Sequence, residues 1–331
     1  MVNGLQPYFK QISFLEEEGI LAANENLELT LIPSWGSNLI SLKDKKFNLE
    51  LLRIPQTREA FLNSPGLYGI PILFPPNRIA DGTFSFGKQT YHFEINESEK
   101  NNHIHGVVHS LDWELKETKV QDGKVVILTE LDSNRFPHIQ EQFPHHFIMQ
   151  MSFILDQNTV YKEATIINKS NQPFPWGLGY HTTFRFPIAR NATLDDVTFS
   201  LSAEKQWQLN NRLLPTGELF TSDFHEELRR GVVLKGKPLD DVFLSGQPNH
   251  AVIFDRKTDL EITYQADENF KHWVVYNGDG YQDFICPEPY TWVTNAPNLK
   301  LPPKLTGLQV LEPGEQKTVK SNISIRHRDK K

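Results

Sequence analysis

The chain has 331 residues, 38% hydrophobic and 23% charged, with 22 Phe, 9 Tyr and 6 Trp, a composition that supplies a sizeable core and excludes a disordered chain. A formal charge of −7 and a pI near 6.0 exclude a general affinity for nucleic acid or an anionic membrane, because neither polyanion gains by meeting a net acid. The single cysteine, Cys286, cannot close an intramolecular disulfide, and no stretch reaches the apolar length of a membrane span.

From the start, Met1 to Ile20 carries Lys10 and Glu16-Glu17-Glu18 where a signal peptide needs an unbroken apolar run; the expectation is a cytoplasmic protein. Leu27, Leu29 and Leu31 then alternate with Glu28 and Thr30, the period of a half-buried strand. Turn signals follow at Asp81-Gly82 and Asp122-Gly123, the latter leading into Val125 to Leu128, which with Phe153 to Leu155 is dense enough to predict strands buried on both faces. Alternation returns at Val197, Phe199 and Leu201, and again at Leu260, Ile262 and Tyr264, with turns predicted at Asn210-Asn211, Pro215-Thr216-Gly217 and Asn277-Gly278-Asp279-Gly280. Helical spacing is confined to short pieces such as Phe224 to Arg229. Scattered prolines mark no linker, and no repeat is visible, so residues 1–331 are expected to form one all-β domain, a large antiparallel sandwich or barrel. Pattern does not place the segments Glu50 to Pro65 and Glu204 to Phe224. The basic end, Arg326-His327-Arg328-Asp329-Lys330-Lys331, reads as a solvated tail.

The chemistry is concentrated in His105 (Asn101-Asn102-His103-Ile104-His105-Gly106), His181 (Pro175-Trp176-Gly177-Leu178-Gly179-Tyr180-His181) and Glu288 (Ile285-Cys286-Pro287-Glu288-Pro289-Tyr290). Imidazoles and a carboxylate move protons on and off oxygen near neutral pH without a cofactor. Each has a plainer reading. Glu288, held extended between prolines, could be a solvated edge-strand acid; His181 could be a core histidine, although a bulge at Gly179 would re-aim it. His103, His105 and His109 raise a metal alternative, since an His-x-His pair on a strand shares one face, yet no companion carboxylate follows at short spacing. Arg78 could be a salt-bridged turn residue, and Asp240 and Asp241 surface acids. Trp176 and Tyr290 suit either a sugar face or the core, and Cys286 reads as packing.

Taken in order, Gly69-Ile70-Pro71-Ile72-Leu73-Phe74-Pro75-Pro76-Asn77-Arg78-Ile79-Ala80-Asp81-Gly82, the three motifs above and Leu311-Glu312-Pro313-Gly314-Glu315 resemble the aldose 1-epimerase (galactose mutarotase) family, over roughly residues 20 to 325. The resemblance implies the galactose mutarotase-like supersandwich, with the site in a cleft on the concave face of one sheet. It implies Glu288 as general base and His181 as the acid that protonates the ring oxygen. His105, Asn77 and Arg78 of the Asn-Arg-Ile motif, and Asp240 of Asp240-Asp241-Val242-Phe243 would hold the sugar. Where the family commonly has Pro after Gly-Tyr-His, this chain has Thr182-Thr183-Phe184. The implied reaction interconverts α and β anomers of a hexose, with no metal, nucleotide or redox cofactor and a monosaccharide as the partner. Two alternatives stand beside it: a hexose-6-phosphate 1-epimerase with Arg53 and Arg58 supplying phosphate contacts, and a sugar-binding module that has lost turnover.

Overall fold

The computed structural model describes residues 6–328 and is an antiparallel β-sandwich. The polar turns between alternating runs are tight enough to pair consecutive strands. At Asp122 and Gly123, φ values of 50° and 74° give the primed turn that matches strand twist, joining Glu114–Gln121 to Lys124–Asp132. That hairpin begins an eight-stranded sheet, which continues through Phe147–Asp156, Thr159–Asn168, Gln316–His327, Leu260–Ala266, His250–Asp255 and Val197–Leu201.

A second eight-stranded sheet runs Pro215–Phe220, Ala203–Leu209, Asp240–Ser245, His272–Tyr276, Phe284–Tyr290, Gly179–Tyr180 and Ile72–Leu73, with Phe184–Arg185 also paired to Phe284–Tyr290. A five-stranded meander from Tyr8–Phe14 to Leu49–Glu50 lies outside these two. The large sheets meet through interdigitated aromatic side chains. Tyr264 of the first packs edge-on against Trp273 of the second at 5.4 Å, and Tyr180 of the second lies over Met151 of the first.

Several expectations change. Val125 to Leu128 and Phe153 to Leu155 are not buried on both faces. They alternate between buried and half-buried residues, because the outer face of this sheet carries no covering layer. Pro215-Thr216-Gly217 is not a turn but the start of a strand paired with Ala203–Leu209; the reversal is made earlier, at Asn210 to Leu213, where Leu213 has φ 59°. The segment Glu204 to Phe224 is therefore mostly a hairpin. At the C-terminus, Arg326 and His327 are ladder residues rather than tail, with Arg328 bonded to Glu261 and His327 to Asp44 at 2.8 Å. Asp329 to Lys331 lie outside the described residues.

The strand carrying Glu288 is interior, not an edge. Thr291 donates its N–H to Leu178 at 2.9 Å, which by strand alternation points the backbone nitrogens of Pro287 and Pro289 to the same side. Neither proline has a hydrogen to give there. The ladder accordingly opens between the Gly179–Tyr290 and Phe184–Ile285 pairs. On the other side of their strand, His181 and Thr183 donate to Pro71 and Gly69, each at 3.0 Å, continuing the pairing of Gly179–Tyr180 with Ile72–Leu73.

Candidate active site

The register kept on both sides of the prolines, Gly179 opposite Tyr290 and Phe184 opposite Ile285, sets His181 directly opposite Glu288, with Nε2 and Oε1 3.2 Å apart. Both side chains are almost wholly buried, at 5% and 1% exposure. Gly179 is needed because the Tyr290 ring crosses where its side chain would be: a Cβ there would sit 2.2 Å from the ring. It marks a close approach of backbone and ring, not the bulge expected. Tyr290, two residues beyond Glu288 and on the same face, donates its hydroxyl to the carboxylate.

Arg78 begins a short strand paired with Asn102–Ile104. Its Nε donates to both oxygens of Glu97 at 3.1 and 3.0 Å, and its Nη2 to Asp240 at 3.5 Å. Asn77 accepts the Arg78 N–H at 2.8 Å on its side chain, offers its amide to the Tyr290 hydroxyl at 3.4 Å, and accepts the His105 N–H on its own carbonyl at 3.0 Å. Asn77 and His105 have φ of 56° and 69°, a left-handed conformation that costs about 1–3 kcal/mol and persists only where the surroundings impose it. Gly106, at φ 70°, follows because a Cβ would lie 2.2 Å from the Phe74 carbonyl. The result brings the His105 ring edge-on to His181, with centroids 5.0 Å apart.

All six sequence-expected residues, Asn77, Arg78, His105, His181, Asp240 and Glu288, line one cavity of about 330 Å³. That volume lies at the small end of ligand sites, which run from about 300 to 1,000 Å³. Tyr276 and Val274 add a wall from the neighbouring strand, and Leu67, Lys100, Ile104 and Leu213 complete the lining. Of the two aspartates, Asp240 faces the cavity, whereas Asp241 takes a 2.6 Å hydrogen bond from Gln206. Arg53 and Arg58 are not among the lining residues: Arg53 is held between the Tyr68 and Phe284 rings, 5.0 Å from each centroid, and Arg58 pairs with Glu17 at 2.9 Å. Trp176 is core. A larger cavity of about 660 Å³, between the first hairpin and Trp113, contains none of these groups.

Burial sets the protonation of the pair. It drives the Glu288 carboxyl well above its ordinary value; the Tyr290 hydroxyl and the Arg78 charge pull it back, and Asp240 adds to the rise. The same desolvation lowers His181 to about 4, with smaller contributions from His109 and Arg78, and holds His105 well below its usual range. Charge is disfavoured on either partner, so the pair rests electrically neutral with one proton between the two groups. Arg78 stays charged despite burial because Asp240 and Glu97 face it.

Six lining residues, Leu67, Lys100, Ile104, Leu213, Val274 and Tyr276, and Glu97 behind Arg78 were not expected from the sequence. Glu97 and Lys100 flank the Asn-His-Ile-His-Gly motif, so proximity to it was an available signal. Tyr276 reaches the cavity by strand pairing and Leu213 from the turn at Asn210 to Leu213. Among the described residues the one set of convergent metal-type donors is His181, Cys286 and Glu288, within 4.8 Å of one another. The His103, His105 and His109 set does not converge; His103 gives Nδ1 to the Glu94 carbonyl at 2.7 Å. No helix among the described residues is long and apolar enough to cross a membrane.

Fold and site together define a class: antiparallel supersandwiches carrying a histidine–glutamate pair at the wall of a polar cavity. The model of the aldose 1-epimerase family matches residues 20–324, and the chain belongs to that family. It is 30% identical to a galactose mutarotase-like protein of Clostridium acetobutylicum, whose crystal structure superposes with a TM-score of 0.93 over 98% of this chain and 99% of that one. The galactose 1-epimerase of Lactobacillus acidophilus shares the fold, with a TM-score of 0.69 at 15% identity over 97% of this chain and 99% of that one. Human galactose mutarotase is 27% identical over 65% of this chain, and the match spans 61% of the human protein's length.

Proposed function

We propose that the protein is an aldose 1-epimerase that interconverts the α and β anomers of a free hexose through Glu288 and His181. The observation that carries this reading is the buried His181–Glu288 pair, 3.2 Å apart, at the wall of a cavity sized for one monosaccharide. As Glu288 takes the proton of the C1 hydroxyl, His181 delivers one to the ring oxygen, and the C1–O5 bond opens to the aldehyde. Rotation about C1–C2 and reclosure on the other face return both protons. The reacting form is the imidazolium–carboxylate tautomer, reached from the resting neutral pair by moving the Glu288 proton across the 3.2 Å contact; burial disfavours that charge separation, and the transfer to and from the sugar restores imidazole and carboxylic acid. Arg78, Asp240, Asn77 and His105 present donors and acceptors to the remaining oxygens. In this proposal residues 1–331 act as one domain.

The phosphorylated-hexose alternative loses its residues, because Arg53 and Arg58 are engaged outside the cavity. Chelator-treated protein should speed the mutarotation of freshly dissolved α-D-glucose or α-D-galactose in a polarimeter. Activity that vanishes on chelation and returns with a divalent ion would require a metal mechanism. Sugar binding without turnover would leave a binding module.

A further inference from the structure

We propose that the cavity wall also forms a capture site for one borderline-soft divalent cation such as Zn²⁺, bound by His181, Cys286 and Glu288. An imidazole nitrogen, a thiolate sulfur and a carboxylate oxygen form the mixed donor set such ions prefer, as against Mg²⁺ or Ca²⁺, which take oxygen alone.

The geometry is close to what the ion requires. Tetrahedral zinc, with bonds of about 2.0–2.3 Å, separates its donor atoms by about 3.3–3.6 Å. His181 and Glu288 already stand 3.2 Å apart. The donor atoms of all three residues lie within 4.8 Å of one another, so the sulfur has to move by about 1 Å, within the reach of a side-chain rotation. Cys286 and Glu288, two residues apart on a strand, project from one face. The Cys286 sulfur has only a 3.4 Å contact with the Thr183 hydroxyl to give up. The imidazole is equally ready. His181 Nδ1 is buried with no hydrogen-bond partner, so nothing prevents the proton from residing there and leaving the Nε2 lone pair to the ion.

On binding, the Cys286 thiol proton, and the carboxyl proton where Glu288 carries one, leave to water; no electron is transferred. The fourth position faces the cavity and takes a water molecule. The ion occupies the two groups that the proposed epimerase reaction uses, so it shuts turnover off. That inhibition rests on the functional reading above; the site itself does not.

The test titrates Cd²⁺ into the purified, chelator-stripped protein while recording ultraviolet thiolate-to-metal absorption and, in parallel, polarimetric turnover. Cys286 is the chain's single cysteine, so the absorption reports this site alone. The expected result is absorption that saturates at one ion per chain, loss of mutarotation with the same midpoint, and recovery of both on adding chelator. Cys286→Ser should give no absorption and keep its turnover in the presence of the ion. Absence of the absorption from the folded parent protein, or equal inhibition of Cys286→Ser, would overturn the proposal. Should Cys286→Ser not fold, the parent spectrum alone decides. Absorption from a parent that never turns over sugar would support the metal site and refute the epimerase reading.

Discussion

At the scale of single residues, the cavity depends on side chains held by others outside it. In the proposed reaction Arg78 would present its fork to vicinal oxygens while its Nε is engaged by Glu97, whose carboxylate Asn102 also bonds at 2.8 Å. Glu97 is partly buried, which favours its neutral form, yet the Arg78 and Asn102 hydrogen bonds and the Arg78 and Lys100 charges keep its pKa low. Glu97→Gln keeps a hydrogen-bond acceptor and removes the charge. It should raise KM for the hexose about 3–10-fold with a smaller change in kcat, since Arg78 grips ground state and transition state alike. A kcat loss at unchanged KM would show instead that Arg78 acts on the reacting centre. The Asn-Arg-Ile, His-Gly, Gly-Tyr-His and Pro-Glu-Pro motifs were legible because each is local. Glu97, just ahead of the His-Gly motif, had only that proximity to mark it; its contact with Arg78 follows from the pairing of Arg78–Ala80 with Asn102–Ile104.

At the scale of elements, two devices position the cavity walls. The first is the turn at Asn210 to Leu213, which Arg212 ties to the loop bearing Lys100. Arg212 donates to the Lys100 carbonyl at 2.8 Å, the Asn101 carbonyl at 2.7 Å, Asp81 at 2.9 Å and Asn102 at 3.1 Å. Leu213 and Lys100 both line the cavity, so Arg212→Ala should loosen that wall and raise KM about tenfold, equivalent to about 1.4 kcal/mol. Kinetics unchanged from the parent would exclude this role. The second is Lys162, fully buried between the sheets, with Nζ 2.6 Å from the Tyr264 hydroxyl and 3.9 Å above the Tyr180 ring. Tyr264 in turn accepts from Thr182 at 3.2 Å, so Lys162 reaches the residues on both sides of His181. Burial lowers the lysine well below its ordinary pKa, and among the described residues it has no carboxylate partner within 4.0 Å. An unpaired buried ammonium costs several kcal/mol, more than two aromatic faces return. Lys162→Met should therefore leave Tm unchanged or higher while lowering kcat. A fall in Tm of about 5 °C or more would mean that the lysine is chiefly structural. Period two predicted that these segments were strands, but it carries nothing about which strands are neighbours. Pro215-Thr216-Gly217 misled for the same reason: composition signalled a turn where pairing with Ala203–Leu209 keeps the chain extended.

At the scale of the whole molecule, buried histidines set the response to acid. Desolvation, with smaller charge contributions, holds His109, His145 and His181 at about 4 and His272 at about 3, against an ordinary 6.5. The unfolded chain binds those protons first, so the stability they contribute is complete above pH 6.5 and is lost as pH falls toward 4. For each fully buried group the loss is about 1.4 kcal/mol for every pH unit by which the folded chain titrates below the unfolded one. Asp241, raised to about 6 mainly by burial, with Glu50 and Glu288, also raised by burial, act in the opposite direction, but the histidines, His103 and His105 lowered among them, outnumber these acids. Tm should drop steadily between pH 6.5 and 4.5, with protons taken up on unfolding; calorimetry showing a constant or rising Tm across that window would contradict this. The all-β class was legible in the alternation of the chain, whereas the register that sets His181 opposite Glu288 is a property of the assembled sheet. The proposed chemistry therefore rests on that pair, and Glu288→Gln, which preserves size and cannot accept a proton, tests it most directly. Polarimetry should show kcat reduced by at least about 10²-fold, the usual contribution of a positioned general base, while calorimetric sugar affinity changes little because Arg78, His105 and Asp240 still hold the hydroxyls. A folded Glu288→Gln protein that interconverts anomers at near the parent rate would contradict the assignment.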